Sequence, residues 1–258
     1  MSKNKLKKFA EMAQMENVFE FGLQKIFMGD FFYLKGNWNK KYFNNNNPIV
    51  LELGCGRGEY TIGLAKNCPE KNYIGIDIKG ARMWSGATEA NKLNLKNIAF
   101  VRTDIQHLNS FFEQNEISEI WLTFPDPQMK KQRKRLTSAQ FLESYKTILK
   151  NNGSIHLKTD SNFLFTYTAA LVEKNNLPII TKIDNLYSSK IYAQNIDLQI
   201  KTYYETQWNA RGIEIKYIKF LLPHASKLKE PDIEIELDEY RSYGRQKRSE
   251  LLKKINRK

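Results

Sequence analysis

Residues 49–58 read IVLELGCGRG, an apolar run that passes directly into alternating glycines. A strand buried inside a parallel sheet is typically a short, continuous apolar segment of this kind. Glycines at alternate positions let the backbone turn tightly and present its N–H groups to a ligand. The stretch therefore predicts a first strand over residues 49–53, followed by a ligand-binding loop that contains Gly54, Gly56 and Gly58.

Outward from this stretch, strand-like and helix-like segments alternate along the chain. Further strands are predicted at residues 73–78, 98–103, 119–124, 155–158, 179–183 and 215–222. A first helix is predicted from the end of the glycine cluster to about residue 67, and a second over residues 80–93. A third is predicted to begin at Thr137 or Ser138 and to end at Asn151–Gly153, and a fourth covers residues 163–174. No clear helix is predicted between the last two strands. This alternation predicts an α/β fold with an open, doubly wound, mostly parallel seven-stranded sheet of the Rossmann-like type.

Composition divides the 258 residues into three parts. A basic and aromatic N-terminal extension is expected over residues 1–47, the α/β domain over 48–222, and an acidic, then basic C-terminal extension over 223–258. The net charge of +13 is concentrated in residues 1–8, 129–135 and 241–258, which leaves about −3 for the remaining 225 residues. Three basic segments on a nearly neutral body predict contact with a polyanion.

Several classes of protein are excluded by the sequence. No apolar run approaches the roughly 18 residues of a membrane span, and no apolar segment of a secretory signal follows the basic N-terminus. Cys55 and Cys68 are too few for a disulfide framework, so a cytoplasmic protein with reduced thiols and no membrane contact is expected. The three histidines form no ligand pair with a cysteine, and no metal is expected.

Acidic residues mark the ends of four consecutive predicted strands. Glu52 precedes the glycines, and Asp77, Asp104 and Asp126 stand at the ends of the next three strands. Ligands of open parallel sheets bind at the carboxyl ends of the strands, so these acids are expected to line one rim. Asp77 stands 23 residues after Gly54, where an acid accepts hydrogen bonds from ribose hydroxyls.

A row of carboxylates favours a cationic ligand over an anionic one. Glu52 would repel a pyrophosphate, and Glu59 stands where a dinucleotide fold has its third glycine. An NAD-linked oxidoreductase is therefore disfavoured. Adenosine that carries a cationic sulfur and an amino acid tail, as in S-adenosylmethionine, suits such a rim better.

Further motifs in the sequence indicate a narrower class of protein. They are LELGCGRGEY at 51–60, YIGID at 73–77, FPDP at 124–127 with its basic run, HLKTD at 156–160 and TYYE at 202–205. In this order they resemble the bacterial tRNA (guanine-N7-)-methyltransferases over roughly residues 48–222. The glycine motif alone indicates only a class I methyltransferase; the later motifs are far more specific.

The resemblance implies an S-adenosylmethionine-dependent enzyme that forms 7-methylguanosine at nucleotide 46 in the variable loop of tRNA, as a monomer or homodimer. It implies that Glu52, Asp77 and Asp104 contact the cofactor and that Asp126 is the active-site acid. The implied substrate residues are Lys130, Asp160, Thr202, Tyr203, Tyr204 and Glu205. The chain departs from the family at Gln128, where a tryptophan is usual, and its basic run is shorter and lacks histidine.

The chemistry agrees with these residue types. Guanine N7 carries no proton, so its methylation needs positioning and no general base. Asp126 or Asp160 can accept hydrogen bonds from N1–H and N2–H of guanine, and our hypothesis is that Asp126 holds the base. Phe124 and Tyr204 are candidates for stacking on a base, and Lys130 with its basic neighbours for phosphate contact. The alternatives are a non-catalytic RNA-binding subunit and another RNA-base methyltransferase on the same fold, such as an adenine N6 enzyme.

Overall fold

The computed structural model describes residues 3–30, 32–210 and 212–238. Its strands are β1 Val18–Glu20, β2 Ile49–Leu53, β3 Asn72–Asp77, β4 Ile98–Arg102, β5 Ile117–Thr123, β6 Leu149–Thr159, β7 Ile179–Ile183 and β8 Lys216–Leu222. Its α-helices are α1 Lys3–Met12, α2 Leu23–Phe27, α3 Glu59–Asn67, α4 Gly80–Lys92, α5 Ala139–Lys146, α6 Asn162–Lys174, α7 Lys190–Gln194 and α8 Tyr203–Asn209. Within these ranges no helix combines the length and the apolar character needed to cross a membrane.

The strands form one sheet in the order β1-β4-β3-β2-β5-β6-β8-β7. All neighbouring strands are parallel except that β8 runs antiparallel to β6 and β7. The predicted α/β fold is confirmed, but the described sheet has eight strands where seven were expected. The additional strand is β1, which extends the sheet beyond β4 and is too short, at three residues, to give a period-2 pattern.

Two connections differ from the sequence prediction. Ser138 caps α5 through its hydroxyl, but α5 ends at Lys146, and Asn151–Gly153 lies inside β6 instead of ending the helix. The β5–β6 register shifts there, so the polar residues bulge from the strand. Between β7 and β8, where no clear helix was expected, lie α7 and α8, of five and seven residues.

The sheet is covered on both faces by apolar side chains. Aromatic residues that precede β2 belong to one of these layers: Phe32 and Trp38 are buried, and the Trp38 indole N–H donates to the carbonyl of Phe111 at 3.0 Å. The segment after β8 also packs on the body, where Leu228 is buried. The basic residues 239–258 of the expected C-terminal extension lie outside the described part of the chain.

Candidate active site

A cavity of about 760 Å³ opens at the carboxyl ends of the central strands. Four carboxylates contribute to its wall, from Asp77, Asp104, Asp126 and Asp160, and α8 adds the rings of Tyr204 and Trp208. Asp77 is the last residue of β3, and the other three acids lie in the loops after β4, β5 and β6. The sheet thus gathers residues that are far apart in sequence at the edge where open parallel sheets bind ligands.

Glu52 is the one predicted rim acid that does not reach this wall. Its side chain is only 2% exposed, and its carboxylate accepts hydrogen bonds from the hydroxyls of Thr61 and Thr123. Burial raises the pKa of Glu52 to about 7, against the lowering effect of these hydrogen bonds. The expectation that all four acids line one rim is therefore wrong for Glu52, because both faces of β2 are covered.

Asp77 fixes the glycine loop. Its carboxylate accepts the N–H of Gly56 at 2.9 Å and the N–H of Lys79 at 2.7 Å, and it thereby joins the loops after β2 and β3. Gly54 lies in the cavity wall with φ of +80°, and the space beside its Cα is open. A side chain there would enter the ligand space.

Gly58 has a different role from Gly54. Its φ is +74°, and a Cβ atom there would lie 2.7 Å from the ring of Phe100 and 3.1 Å from the Cα of Gly86. Gly58 therefore permits close packing of α3 on α4 instead of forming the wall. Of the three predicted cofactor glycines, only Gly54 lines the cavity.

The loop after β5 is strained. Phe124 and Gln128 are not glycines, yet their φ angles are +49° and +45°. The N–H of Phe124 donates to the carbonyl of Lys158 at 2.8 Å, and the exposed Asp126 accepts the N–H of Gln128 at 3.0 Å. Left-handed backbone in bulky residues is costly and concentrates at functional sites, so this loop is a strong candidate for the reacting region.

The basic run after this loop has two parts. The cationic side chains within 130–134 are exposed, and the run starts directly after the wall residue Met129. Arg135 is buried: its guanidinium donates to the carbonyls of Gln128 and Met129 and lies over two aromatic rings of α6. Arg135 thus shapes the loop, and its charge, unlike those of its neighbours, is not exposed to solvent.

The TYYE motif forms the start of α8. Thr202 accepts the N–H of Glu205 at 3.1 Å, and the Glu205 side chain accepts the N–H of Thr202 at 3.3 Å, which is a complete capping box. The Glu205 carboxylate is fully buried and accepts a hydrogen bond from the hydroxyl of Tyr187. The side chains of Thr202 and Glu205 thus bond within the protein, and their direct contact with a substrate stays a prediction.

Lys158 is a site residue that sequence reasoning missed. Its ammonium is fully buried, lies 2.8 Å from the Glu205 carboxylate, and donates to the carbonyls of Leu198 and Ile200 at 2.9 and 2.8 Å. Burial lowers the pKa of Lys158, and the charge of Glu205 opposes that effect. Apolar and polar residues alternate at this end of β6, IHLKT, so no local pattern marked Lys158 for burial.

Glu59 and Arg57 connect the glycine loop to α8. The N–H of Tyr203 donates to the Glu59 carboxylate at 2.9 Å, and the Arg57 guanidinium lies 4.8 Å from the ring centre of Tyr203. Tyr203 is half exposed outside the cavity wall, whereas Tyr204 lines it. The glutamate that replaces the third glycine of a dinucleotide motif therefore holds the helix that carries Tyr204.

Nucleophiles and metal ligands contribute little to this site. Cys55 is buried, and burial raises the pKa of its thiol. His156 stacks on Trp121 with ring centres 3.9 Å apart, and burial lowers the pKa of its imidazole. Among the residues that the structure describes, no group of three or more His, Cys, Asp or Glu side chains is arranged to hold a metal ion.

The strand order and the carboxylate-lined edge define a class I methyltransferase. A family model described as "Putative methyltransferase" matches residues 46–218. The tRNA (guanine-N(7)-)-methyltransferases of Bacteroides fragilis and Bacteroides thetaiotaomicron are 59% and 57% identical over 251 residues, which is 97% of this chain and 98% of each relative. The chain belongs to the tRNA (guanine-N(7)-)-methyltransferase family, as the sequence motifs predicted.

A solved structure supports the fold independently. A variant of the 16S rRNA (adenine(1408)-N(1))-methyltransferase of Catenulisporales acidiphilia, determined with its cosubstrate SAM, superposes with a TM-score of 0.51. The match covers 74% of this chain and 92% of that chain at 13% identity. At this identity the likeness extends to the fold alone.

Proposed function

We propose that the protein transfers a methyl group from S-adenosylmethionine to N7 of the guanine at nucleotide 46, in the variable loop of tRNA, and forms 7-methylguanosine. Membership of the family supports the reaction. The observation that carries the proposal is the convergence of Asp77, Asp104 and Asp126 on one cavity beside the ring of Tyr204. Such a cavity combines groups suited to a cationic nucleoside with groups suited to a purine base.

The donor half of the cavity fits S-adenosylmethionine. Asp77 already accepts two backbone N–H groups, and each carboxylate oxygen retains a lone pair that a ribose hydroxyl can use. Asp104 accepts the N–H of Gln106 and borders the same space, where an adenine amino group can donate to it. The open space beside Gly54 admits the amino acid tail. When bound, S-adenosylmethionine supplies a methyl group made electrophilic by its positive sulfur.

Glu52 contributes to the donor half of the cavity without lining its wall. Its carboxyl lies buried behind the glycine loop with a pKa raised by burial to about 7. A cation in the cavity favours the ionised form of a neighbouring carboxyl. In our proposal Glu52 therefore stabilises the positive donor through space, and a direct contact with it stays a prediction.

Asp126 is proposed to hold the guanine. Guanine N7 attacks through an in-plane lone pair and loses no proton, so a carboxylate at this position has no proton to remove. It can instead accept the N1–H and N2–H donors of guanine, whereas adenine presents an acceptor at N1 and is repelled. Asp160 lies in the same wall and is the second candidate for this role.

Aromatic and basic groups around Asp126 suit an RNA substrate. Tyr204 is 43% exposed and lines the wall together with Trp208, and both rings can stack on a base that has left its helix. The exposed lysines and arginine of 130–134 follow the wall at Met129, where phosphates can displace counterions. Unpaired loop nucleotides are the usual targets of such stacking sites.

The test is methyl transfer with a mapped product. The protein is incubated with S-adenosylmethionine that carries a labelled methyl group and with unmodified tRNA transcripts, and the modified nucleotide is located by mass spectrometry. We expect 7-methylguanosine at nucleotide 46 and no transfer when adenine replaces that guanine. Binding without transfer would favour a non-catalytic RNA-binding subunit, and a product on another base would favour a different RNA methyltransferase.

A further inference from the structure

One face of α3 holds the segment before α8. The hydroxyl of Tyr60 donates to the carbonyl of Asp197 at 2.6 Å, and the side-chain amide of Asn67 donates to the Asp197 carboxylate at 3.1 Å. Between these two residues, a Cβ atom at Gly63 would lie 2.7 Å from the side chain of Ile200, so Ile200 packs directly on the helix backbone. Positions 60, 63 and 67 are three and four residues apart and therefore lie on one face of the helix.

Glu59 extends this contact to α8 itself. It is the first residue of α3, directly after Gly58 of the glycine loop, and its carboxylate accepts the N–H of Tyr203, the first residue of α8, at 2.9 Å. The first N–H groups of a helix have no partner within the helix, so an acceptor from another element fixes that end. The guanidinium of Arg57, which lies 3.9 Å from the Glu59 carboxylate and over the ring of Tyr203, borders the same contact.

Glu59 does not line the cavity, whereas Tyr204, the second residue of α8, does. The N–H of Thr202 already bonds to Glu205 within the capping box, and the buried ion pair with Lys158 holds the inner side of α8. The Glu59 contact supports the same helix from the side of the glycine loop, at the residue next to Tyr204. Glu59 can therefore influence the cavity through the placement of α8.

We propose that Glu59 is a positioning residue for methyl transfer, which holds the ring of Tyr204 at a fixed distance from the glycine loop. The inference rests on the proposed function, in which the donor lies against that loop and the purine stacks on that ring. The attacking nitrogen, the methyl carbon and the sulfur must lie in line, and a misplacement of about 1 Å can cost roughly 100-fold in rate. Because α3 carries both the end of the donor loop and the support of α8, it sets the separation between donor and base.

The first test separates the reach of the Glu59 side chain from its charge. Glu59→Gln keeps an acceptor oxygen at the same reach and removes the charge, whereas Glu59→Asp keeps the charge and draws the acceptor back by one methylene. Glu59→Ala removes both the acceptor and the charge. Glu70→Ala, at an exposed glutamate just beyond the other end of α3, is the control for removal of a carboxylate.

The single-turnover rate constant of methyl transfer is measured with S-adenosylmethionine and tRNA both saturating. We expect Glu59→Ala and Glu59→Asp to lower this rate constant roughly tenfold, and Glu59→Gln and Glu70→Ala to stay within about twofold of the wild type. The dissociation constant for S-adenosylmethionine, measured by calorimetry, should be unchanged in all four variants. Melting temperatures establish that each variant is folded, and the comparison of Gln with Asp stands even if Glu59→Ala does not fold.

Three outcomes of this test would overturn the inference. If Glu59→Asp kept the wild-type rate and Glu59→Gln lost it, the charge of Glu59 would matter instead of its contact with α8. If donor affinity fell in parallel with the rate, Glu59 would be a donor-binding residue. If all the Glu59 variants transferred the methyl group at the wild-type rate, the contact with Tyr203 would have no part in the reaction.

The second test asks whether Glu59 acts through Tyr204. Tyr204→Leu removes the aromatic ring and keeps an apolar side chain, and Glu59→Asp is made with and without this change. We expect Glu59→Asp to lower the rate roughly tenfold in the wild type and less than about twofold in Tyr204→Leu, because residues that act as a unit are not additive. Equal factors in both backgrounds would show that Glu59 acts independently of the ring, and a wild-type rate in Tyr204→Leu would show that the ring is not needed. Either result would overturn the inference.

These outcomes are separable from the proposed function. The wild-type protein is assayed in parallel for 7-methylguanosine at nucleotide 46 of the same tRNA. If the wild type forms this product and the Glu59 variants transfer at its rate, only the present inference fails. If the wild type transfers no methyl group to tRNA, the proposed function fails and the inference fails with it.

Discussion

The carboxylate of Glu205 lies 2.8 Å from the ammonium nitrogen of Lys158, and neither side chain is exposed to solvent. Because Lys158 also donates to the carbonyls of Leu198 and Ile200, one buried charge joins β6, the segment before α8 and α8 itself. The orientation of Tyr204 in the cavity wall therefore depends on an ion pair on the inner side of α8.

Breaking this pair should be costly. Lys158→Met leaves the Glu205 carboxylate buried without its partner, and we expect a loss of about 3–5 kcal/mol in the free energy of unfolding. The double variant Lys158→Met/Glu205→Leu should lose less, because no charge remains buried. Urea unfolding measures the free energy of unfolding of both variants. As a control, Lys182→Met removes the exposed pair with Glu173 and should cost at most about 1 kcal/mol; a similar cost for the buried and exposed pairs would contradict the interpretation.

Glu52 should make stability depend on pH. Burial raises its pKa in the folded protein from 4.5 to about 7, so the folded state binds this proton more tightly than the unfolded state. The protonated carboxyl therefore contributes stability that is complete below pH 4.5 and is lost as the pH rises through about 7. The Glu52→Gln side chain does not titrate, so the variant lacks this contribution to the pH dependence of stability.

The measurement for Glu52 is urea unfolding of both proteins across this range. Relative to Glu52→Gln, the wild type should become less stable as the pH rises, by up to about 3 kcal/mol. A difference between the two proteins that stays constant with pH would disprove the raised pKa. Glu89→Gln, at an exposed glutamate of α4, serves as a comparison for the substitution itself.

Asp126→Asn should impair methyl transfer without weakening the affinity for S-adenosylmethionine. The amide presents only one acceptor to the two donors of guanine, and losing a hydrogen bond to a charged group costs about 1.5–3 kcal/mol, or roughly 10–100-fold in rate. Single-turnover methylation and calorimetry of donor binding separate the two effects. Asp232→Asn, at an exposed acid in the segment after β8, is the matched control. Near wild-type transfer with unchanged preference for guanine would remove the proposed role.

Lys130→Ala/Lys131→Ala should reduce the salt dependence of tRNA binding. Each lost phosphate contact lowers the log–log slope by about 0.7–0.9, so the pair should lower it by up to about 2. Lys40→Ala/Lys41→Ala removes an adjacent exposed pair away from the cavity and should leave the slope unchanged. An identical slope for wild type and Lys130→Ala/Lys131→Ala would mean that these lysines face no phosphate.

Gly58→Ala should destabilise the protein more than Gly29→Ala does. Both glycines have positive φ, +74° and +82°, so both substitutions introduce backbone strain of about 1–2 kcal/mol. Only at Gly58 does the new Cβ meet another group, the ring of Phe100 at 2.7 Å, whereas at Gly29 nothing lies within 4 Å. Overpacking should add about 1–3 kcal/mol at Gly58. Equal melting temperatures for the two variants would contradict this close packing.

The part of the site that follows local rules was predictable from the sequence. The apolar run of β2 and its glycines identify a strand and its loop, and the end of each parallel strand faces the same rim. This reasoning located Asp77, Asp104 and Asp126, which the structure brings to one cavity. The family motifs added Asp160 and Tyr204, which line it as well.

The remaining features depend on contacts between distant parts of the chain. β1 has three residues and forms only because β4, some 80 residues later, offers a free edge. The burial of Glu52 depends on hydroxyls from Thr61 and Thr123, since a central parallel strand hides both of its faces. The inward orientation of Glu205 likewise requires Lys158, 47 residues earlier, which no local pattern reveals.

The small strand β1 has a practical consequence for handling the protein. It covers the outer edge of β4. At the end of this strand pair, the carboxylate of Glu20 forms an ion pair with the Arg102 guanidinium at 3.1 Å. Trimming the chain past Glu20 would uncover the three residues of β4 that pair with β1, Phe100–Arg102, whose unpaired backbone invites strands from other molecules. Preparations shortened at this end should form insoluble, β-rich aggregates during expression, while those that retain Val18–Glu20 should not.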